Sequence, residues 1–159
     1  MNIQPNQEVV LDLLAKNEEN IGRLYKVYAD LFSEYRELWS GLADEEKVHA
    51  ARIRSLKSQV GKDHLSLKPN RFKSEAIRFF SSYIEQEIIA AGKGGFSLIK
   101  ALSISMHIED SLIERRYFEV FESDAVEMKN LLQELEAGTR QHAGKIRNAL
   151  NQYRAKTGI

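Results

Sequence analysis

The chain has 159 residues, enough for one domain around one hydrophobic core. Lys+Arg and Asp+Glu both number 23, so the formal net charge is zero and no basic excess is present to bind a nucleic-acid backbone. Cysteine is absent, which excludes disulfides, a thiol nucleophile, thiolate-held zinc, iron–sulfur clusters and a rubredoxin-type iron site.

Apolar residues recur among charged ones at three- and four-residue steps, and alternation at two is nearly absent, so the expected class is all-α. The first helix is expected over about 7–32, with Leu11, Leu14, Ile21, Leu24, Tyr25, Tyr28 and Phe32 on one stripe. After a short join at Ser33, a second is expected over about 34–60 through Trp39, Leu42, Ile53 and Leu56, with Gly61 as its stop. A short join makes these two antiparallel neighbours. The connection that follows carries Pro69, and Ser74 caps a shorter helix expected over about 75–91 with Ile77, Phe80, Ile84 and Ile88 on one side. Gly92 to Gly95 breaks the chain. A third long helix is expected over about 97–121 through Leu98, Leu102, Met106, Ile113 and Tyr117, and a fourth, capped by Ser123 and Asp124, over about 124–153 through Leu132, Leu135, Ile146 and Ala149. Two long helices, a connection with a smaller helix, then two more long helices predict a single domain, residues 1–159, built as a four-helix bundle with one long crossover. No apolar run approaches the roughly 20 residues that span a bilayer, and no signal peptide opens the chain, so membrane insertion is not expected and the cytoplasm is the expected location.

The polar residues that interrupt these stripes carry the chemistry. Glu18 lies within the first seam, Glu46 and His49 occupy consecutive seam positions of the second, Glu109 lies in the third, and Thr139 and His142 lie in the fourth. An unpaired carboxylate in a bundle core costs several kcal/mol, so three carboxylates and two imidazoles converging at mid-bundle require a shared partner, and a cation is the simplest one. Glu46-Lys47-Val48-His49 places an oxygen and a nitrogen ligand one helical turn apart on one face. Glu18 and Glu109 are 91 positions apart and His49 and His142 are 93 apart, a weak internal repeat that predicts two helix pairs related by a pseudo-twofold axis. Asp44, Glu45 and Lys47 read as a solvated salt-bridge face, and Tyr25, Tyr28 and Tyr117 as core packing.

One Glu from each of two helices and Glu-x-x-His from each of the other two is the di-metal carboxylate pattern of the ferritin-like proteins. The stretch from Glu18 to Tyr25, together with Leu42-Ala43-Asp44-Glu45-Glu46-Lys47-Val48-His49-Ala50, resembles the rubrerythrin-related members of that superfamily, and the helix order extends the resemblance over nearly the whole chain. The resemblance implies a ferritin-like bundle holding one or two iron ions, with zinc or manganese as alternatives, on Glu18, Glu46, His49, Glu109 and His142. It also implies reduction of peroxide or oxygen with electrons from a separate donor. A homodimer through a helix face is the expected assembly.

The chain departs from that pattern at Thr139, where the fourth helix should carry the Glu paired with His142, and at Leu112, where rubrerythrins carry a further Glu. Three glutamates balance fewer cationic charges than four, so a second metal would need an exogenous anion or bind more weakly. The competing expectation is a structural or interaction bundle whose metal site has decayed.

Overall fold

The computed structural model describes residues 7–60, 66–67, 74–114, 121–122 and 126–158. The first stripe folds as α1 (Gln7–Leu31), and its Leu11, Leu14, Ile21, Leu24, Tyr25 and Tyr28 are all buried. Phe32 leaves the helical region at φ −121° and ψ 81°, and one turn of 3-10 helix, Ser33–Tyr35, is closed by the Tyr35 N–H donating to the Phe32 carbonyl at 3.0 Å. α2 (Arg36–Val60) therefore begins slightly later than the expected residue 34 and runs back along α1. Lys57 reaches Asp12 at 3.1 Å while Arg54 pairs with Glu19, so rising numbers on α2 meet falling numbers on α1.

α3 (Ser74–Gly92) is more than a crossover. It packs along α1 and buries Ile77, Phe80, Ile84 and Ala91. Gly94 and Gly95, at φ 84° and 70°, reverse the chain through a conformation that residues with a Cβ rarely adopt. The Ser97 hydroxyl then accepts the Lys100 N–H at 3.2 Å and caps α4 (Leu98–Glu114). α4 packs against α5 (Val126–Thr157), and α5 lies beside α2 through Lys145–Glu45 at 2.9 Å and Arg52–Glu134 at 3.1 Å. Among the described residues the chain is all-α apart from one antiparallel pair, β1 (Ser66–Leu67) and β2 (Phe121–Glu122), with Ser66 opposite Glu122 and Leu67 opposite Phe121.

Two boundaries differ from the expected ones. Phe121 belongs to β2, so no helix runs from 97 to 121 as expected; the aromatic and β-branched run Tyr117, Phe118, Val120, Phe121 carries strand propensity that the apolar spacing concealed. α5 continues past residue 153 because Arg154, Ala155 and Lys156 are good helix formers, and it stops where Gly158 takes φ 73° and donates its N–H to the Arg154 carbonyl at 2.9 Å. Gly61, Tyr117, Ser123 and Asp124 lie outside the described residues.

The centre of the core is aromatic. Trp39 is fully buried, with its ring 5.5 Å from Tyr25 and 5.0 Å from Tyr28, and Tyr28 stacks on Phe96 at 5.8 Å. Next to this cluster the core turns polar, and the helices α1, α2, α4 and α5 each contribute.

Candidate metal centre

All five seam residues are buried: Glu18 is 3% exposed, Glu46 and Glu109 0%, His49 6% and His142 1%. Helical spacing explains the local placement, because Glu46 and His49 stand one turn apart on the face of α2 that meets the core. His49 Nδ1 lies 3.2 Å from Glu46 Oε2, and from α5 His142 Nδ1 lies 2.8 Å from Glu46 Oε1. One ligand atom from each of Glu46, His49 and His142 lies within 4.8 Å of the others, a separation that one metal ion can bridge. The imidazole rings of His49 and His142 stack with centroids 4.9 Å apart. Glu109 joins from α4, with its Oε1 3.7 Å from His142 Nδ1 and accepting the Tyr25 hydroxyl at 2.5 Å. Glu18 borders the same cluster from α1, as its electrostatic coupling to Glu46 and Glu109 shows.

The electrostatics follow from enclosing several carboxylates in one dry space. Burial pushes the Glu18 carboxyl well above its ordinary range, and the neighbouring Glu46 and Glu109 push it further. Glu109 is raised to about 7 by burial and by Glu46, against partial relief from His142 and Tyr25. Burial also acts against the Glu46 carboxylate, yet hydrogen bonds from Glu18, His142 and His49 outweigh it and hold the group below the usual range. His142 shows the same contest with opposite charge: burial disfavours its cation, but Glu109 and Glu46 raise it to about 10. At neutral pH the ring is thus an imidazolium donating from both nitrogens, one to Glu46 and the other to Glu45. Tyr25 is pushed well above the ordinary phenol range by burial, Glu109 and Glu46, so it stays a donor.

The donor set suits a metal. Glu18 Oε2 and Glu109 Oε2 are buried without a hydrogen-bond partner among the described residues, and buried carboxylate oxygens are rarely left in that condition. A divalent or trivalent cation among Glu18, Glu46, His49, Glu109 and His142 would take those lone pairs and compensate the carboxylate charge. Oxygen and imidazole ligands in this ratio suit iron, manganese or zinc.

Thr139 occupies the position where a Glu would complete the pattern. It is 1% exposed, and its hydroxyl donates to the Leu135 carbonyl at 3.1 Å, one turn back along its own helix. The nearest upstream carboxylate, Glu136, pairs with Arg140 on the surface at 3.1 Å, and Leu112 is a buried core residue.

Three participants escape the seam pattern. The hydroxyl of Tyr25 is a donor to Glu109 as well as part of the aromatic packing. Glu45 forms the expected surface ion pair with Lys145, but its second oxygen turns inward and lies 2.6 Å from His142 Nε2. Gly138 lies against His49, where a Cβ would sit 2.6 Å from Nε2 and 3.0 Å from Cε1. Tyr25 was expected as core packing, and its bond to Glu109 spans 84 positions; the other two depend on how α2 and α5 are registered, which no local pattern encodes.

Among the described residues no helix is long and apolar enough to cross a membrane. No family model, curated protein or solved structure matches this chain.

Proposed function

We propose that the protein is a metal-binding, ferritin-like helical bundle that holds iron, or another transition metal, on Glu18, Glu46, His49, Glu109 and His142. The observation that carries this reading is the enclosure of three carboxylates and two imidazoles in one buried cluster, with Glu18 Oε2 and Glu109 Oε2 unpartnered among the described residues. Hydrophobic residues would fill that space at far lower free-energy cost if nothing bound there. By the resemblance to the rubrerythrins, bound iron would supply redox chemistry. The net reaction would be reduction of peroxide or oxygen to water, with electrons from a separate donor and protons from solvent. This chain's residues contribute the ligands, an anionic site that favours the oxidised metal, and the Tyr25 hydroxyl that fixes Glu109.

A second reading, a structural bundle whose metal chemistry has been lost, is favoured by two observations. Thr139 satisfies its own hydroxyl within α5, and both nitrogens of His142 are already held by carboxylates. Metal content separates the two. Mass spectrometry of untagged protein grown with iron, repeated on Glu46→Ala, should find close to one transition-metal ion or more per chain in the wild type and little in the variant. A wild-type protein that stays empty after anaerobic ferrous loading refutes the first reading in favour of the second.

A further inference from the structure

The two imidazoles of the cluster are held in different ways. His49 turns Nδ1 to Glu46, and its Nε2 lies against the Cα of Gly138 with no hydrogen-bond partner among the described residues. His142 turns Nδ1 to Glu46 and Glu109 and has Nε2 anchored to Glu45. Glu45 is not free to wander: its other oxygen is held by Lys145, three residues beyond His142 on the same helix. The result is a clamp in which one carboxylate of α2 bridges two side chains of α5 along consecutive turns. Its side chain is 42% exposed, so it stands at the rim of the cluster and not among the ligands.

A metal-binding imidazole coordinates through one nitrogen and needs the other N–H held by an acceptor, which fixes both the tautomer and the plane of the ring. His142 has such an acceptor, and among the described residues His49 does not. We propose that Glu45 is the positioning residue of the metal centre: it accepts the His142 Nε2–H, directs Nδ1 at the metal position between Glu46 and Glu109, and makes His142 the stronger imidazole ligand. Lys145 keeps the carboxylate in place for that task. This rests on the metal-binding reading above and goes beyond its ligand set, since Glu45 touches no metal.

The test is zinc titration calorimetry on the wild type, Glu45→Ala and Glu45→Gln, with cobalt absorption as the spectroscopic readout. Removing the acceptor in Glu45→Ala should weaken zinc binding about 10- to 100-fold, the usual effect of deleting a partner of a ligating histidine. Glu45→Gln retains an acceptor oxygen of the same reach and should recover most of the affinity. A role confined to the surface ion pair would predict equal effects for Glu45→Ala and Lys145→Ala and an unchanged cobalt spectrum. The proposal expects instead that the ligand-field bands shift in Glu45→Ala, and that Lys145→Ala has the smaller effect on affinity. Zinc affinity and cobalt bands that are unchanged in Glu45→Ala overturn the proposal while leaving the metal reading intact. A wild-type protein that binds neither ion overturns both. If Glu45→Ala fails to fold, Glu45→Gln and Glu45→Leu compared with Lys145→Met decide the matter by the same two readouts.

Discussion

Substituting Gly138 by alanine should damage a position where helix chemistry alone predicts a gain. Gly138 lies inside α5, where Ala is favoured over Gly by about 1 kcal/mol. An added Cβ, however, would sit 2.6 Å from Nε2 of His49 and 3.0 Å from its Cε1. The ring cannot simply swing away, because it is stacked on His142 and hydrogen-bonded to Glu46 at 3.2 Å. Overpacking of this kind costs about 1–3 kcal/mol, and loss of the His49–Glu46 hydrogen bond adds about 1 kcal/mol. After the helix-propensity gain the net is a destabilisation of about 1–3 kcal/mol. Gly144 is the internal control: it is in the same helix and a Cβ there meets nothing within 4 Å, so Gly144→Ala should stabilise by up to about 1 kcal/mol. Thermal unfolding of both metal-free variants reads the difference, at about 2–4 °C per kcal/mol for a chain of this size. Zinc affinity should fall in Gly138→Ala and hold in Gly144→Ala. If Gly138→Ala is as stabilising as Gly144→Ala, the ring of His49 does not lie where the structure puts it and the pairing of α2 with α5 at this level is wrong.

Tyr25→Phe removes the donor to Glu109 Oε1 and leaves a third carboxylate oxygen of the cluster without a hydrogen-bond partner among the described residues, which should cost about 1–3 kcal/mol of stability by chemical denaturation. The pH dependence of the metal-free protein has a definite sign. Glu109 is raised from 4.5 to about 7 and His142 from 6.5 to about 10, so both contributions are present at low pH and are lost as pH rises through those folded-state values. Glu46, lowered, contributes above 4.5 and loses its share in acid. Melting temperature should therefore peak near pH 4.5 and fall from there toward pH 10, first as Glu109 ionises and then as His142 loses its proton, whereas zinc-loaded protein should gain stability as pH rises from 5 to 8, because binding displaces protons. A metal-free protein whose stability climbs from pH 6.5 to 10 would contradict this balance. Thr139→Glu adds a fourth carboxylate at a 1% exposed position; it should destabilise the metal-free chain by several kcal/mol and raise metal stoichiometry toward two per chain, and an unchanged metal count would undermine the charge argument.

How much of this was legible in the sequence depends on whether a residue's role is set by its own helix or by a neighbouring one. Glu18, Glu46, His49, Glu109 and His142 stood out because each interrupts an apolar stripe, and an interruption that selection tolerates in a core is visible in one strand of text. The same stripes gave the order of the helices. Glu45 forms the surface ion pair expected of it, but its second contact was not legible, because it sits one position off the seam, about 100° around the helix; what brings its other oxygen to His142 is the contact of α2 with α5, a relation between residues 97 positions apart. Gly138 was silent for the same reason: a missing Cβ has meaning only once the opposing ring is known. Phe121 misled because aromatic residues at three- and four-residue steps satisfy a helical stripe and a strand equally well, and only its pairing with Leu67 distinguishes them.

The division of the ligands between two helix pairs has a kinetic consequence. Glu18, Glu46 and His49 belong to the α1–α2 hairpin, whereas Glu109 and His142 belong to α4 and α5. Each pair is built from contacts close in sequence and can form early, but Glu109 meets Glu18 and Glu46 only when the two pairs dock, and the burial and proximity of these carboxyls then oppose the last step of folding. That docking seam is the natural place for partial opening, and a cation would act there as a cross-link between units that otherwise separate first. Amide hydrogen exchange at the facing turns of α2 and α5 should accordingly slow on metal loading far more than exchange in the middle of the α1–α2 pair.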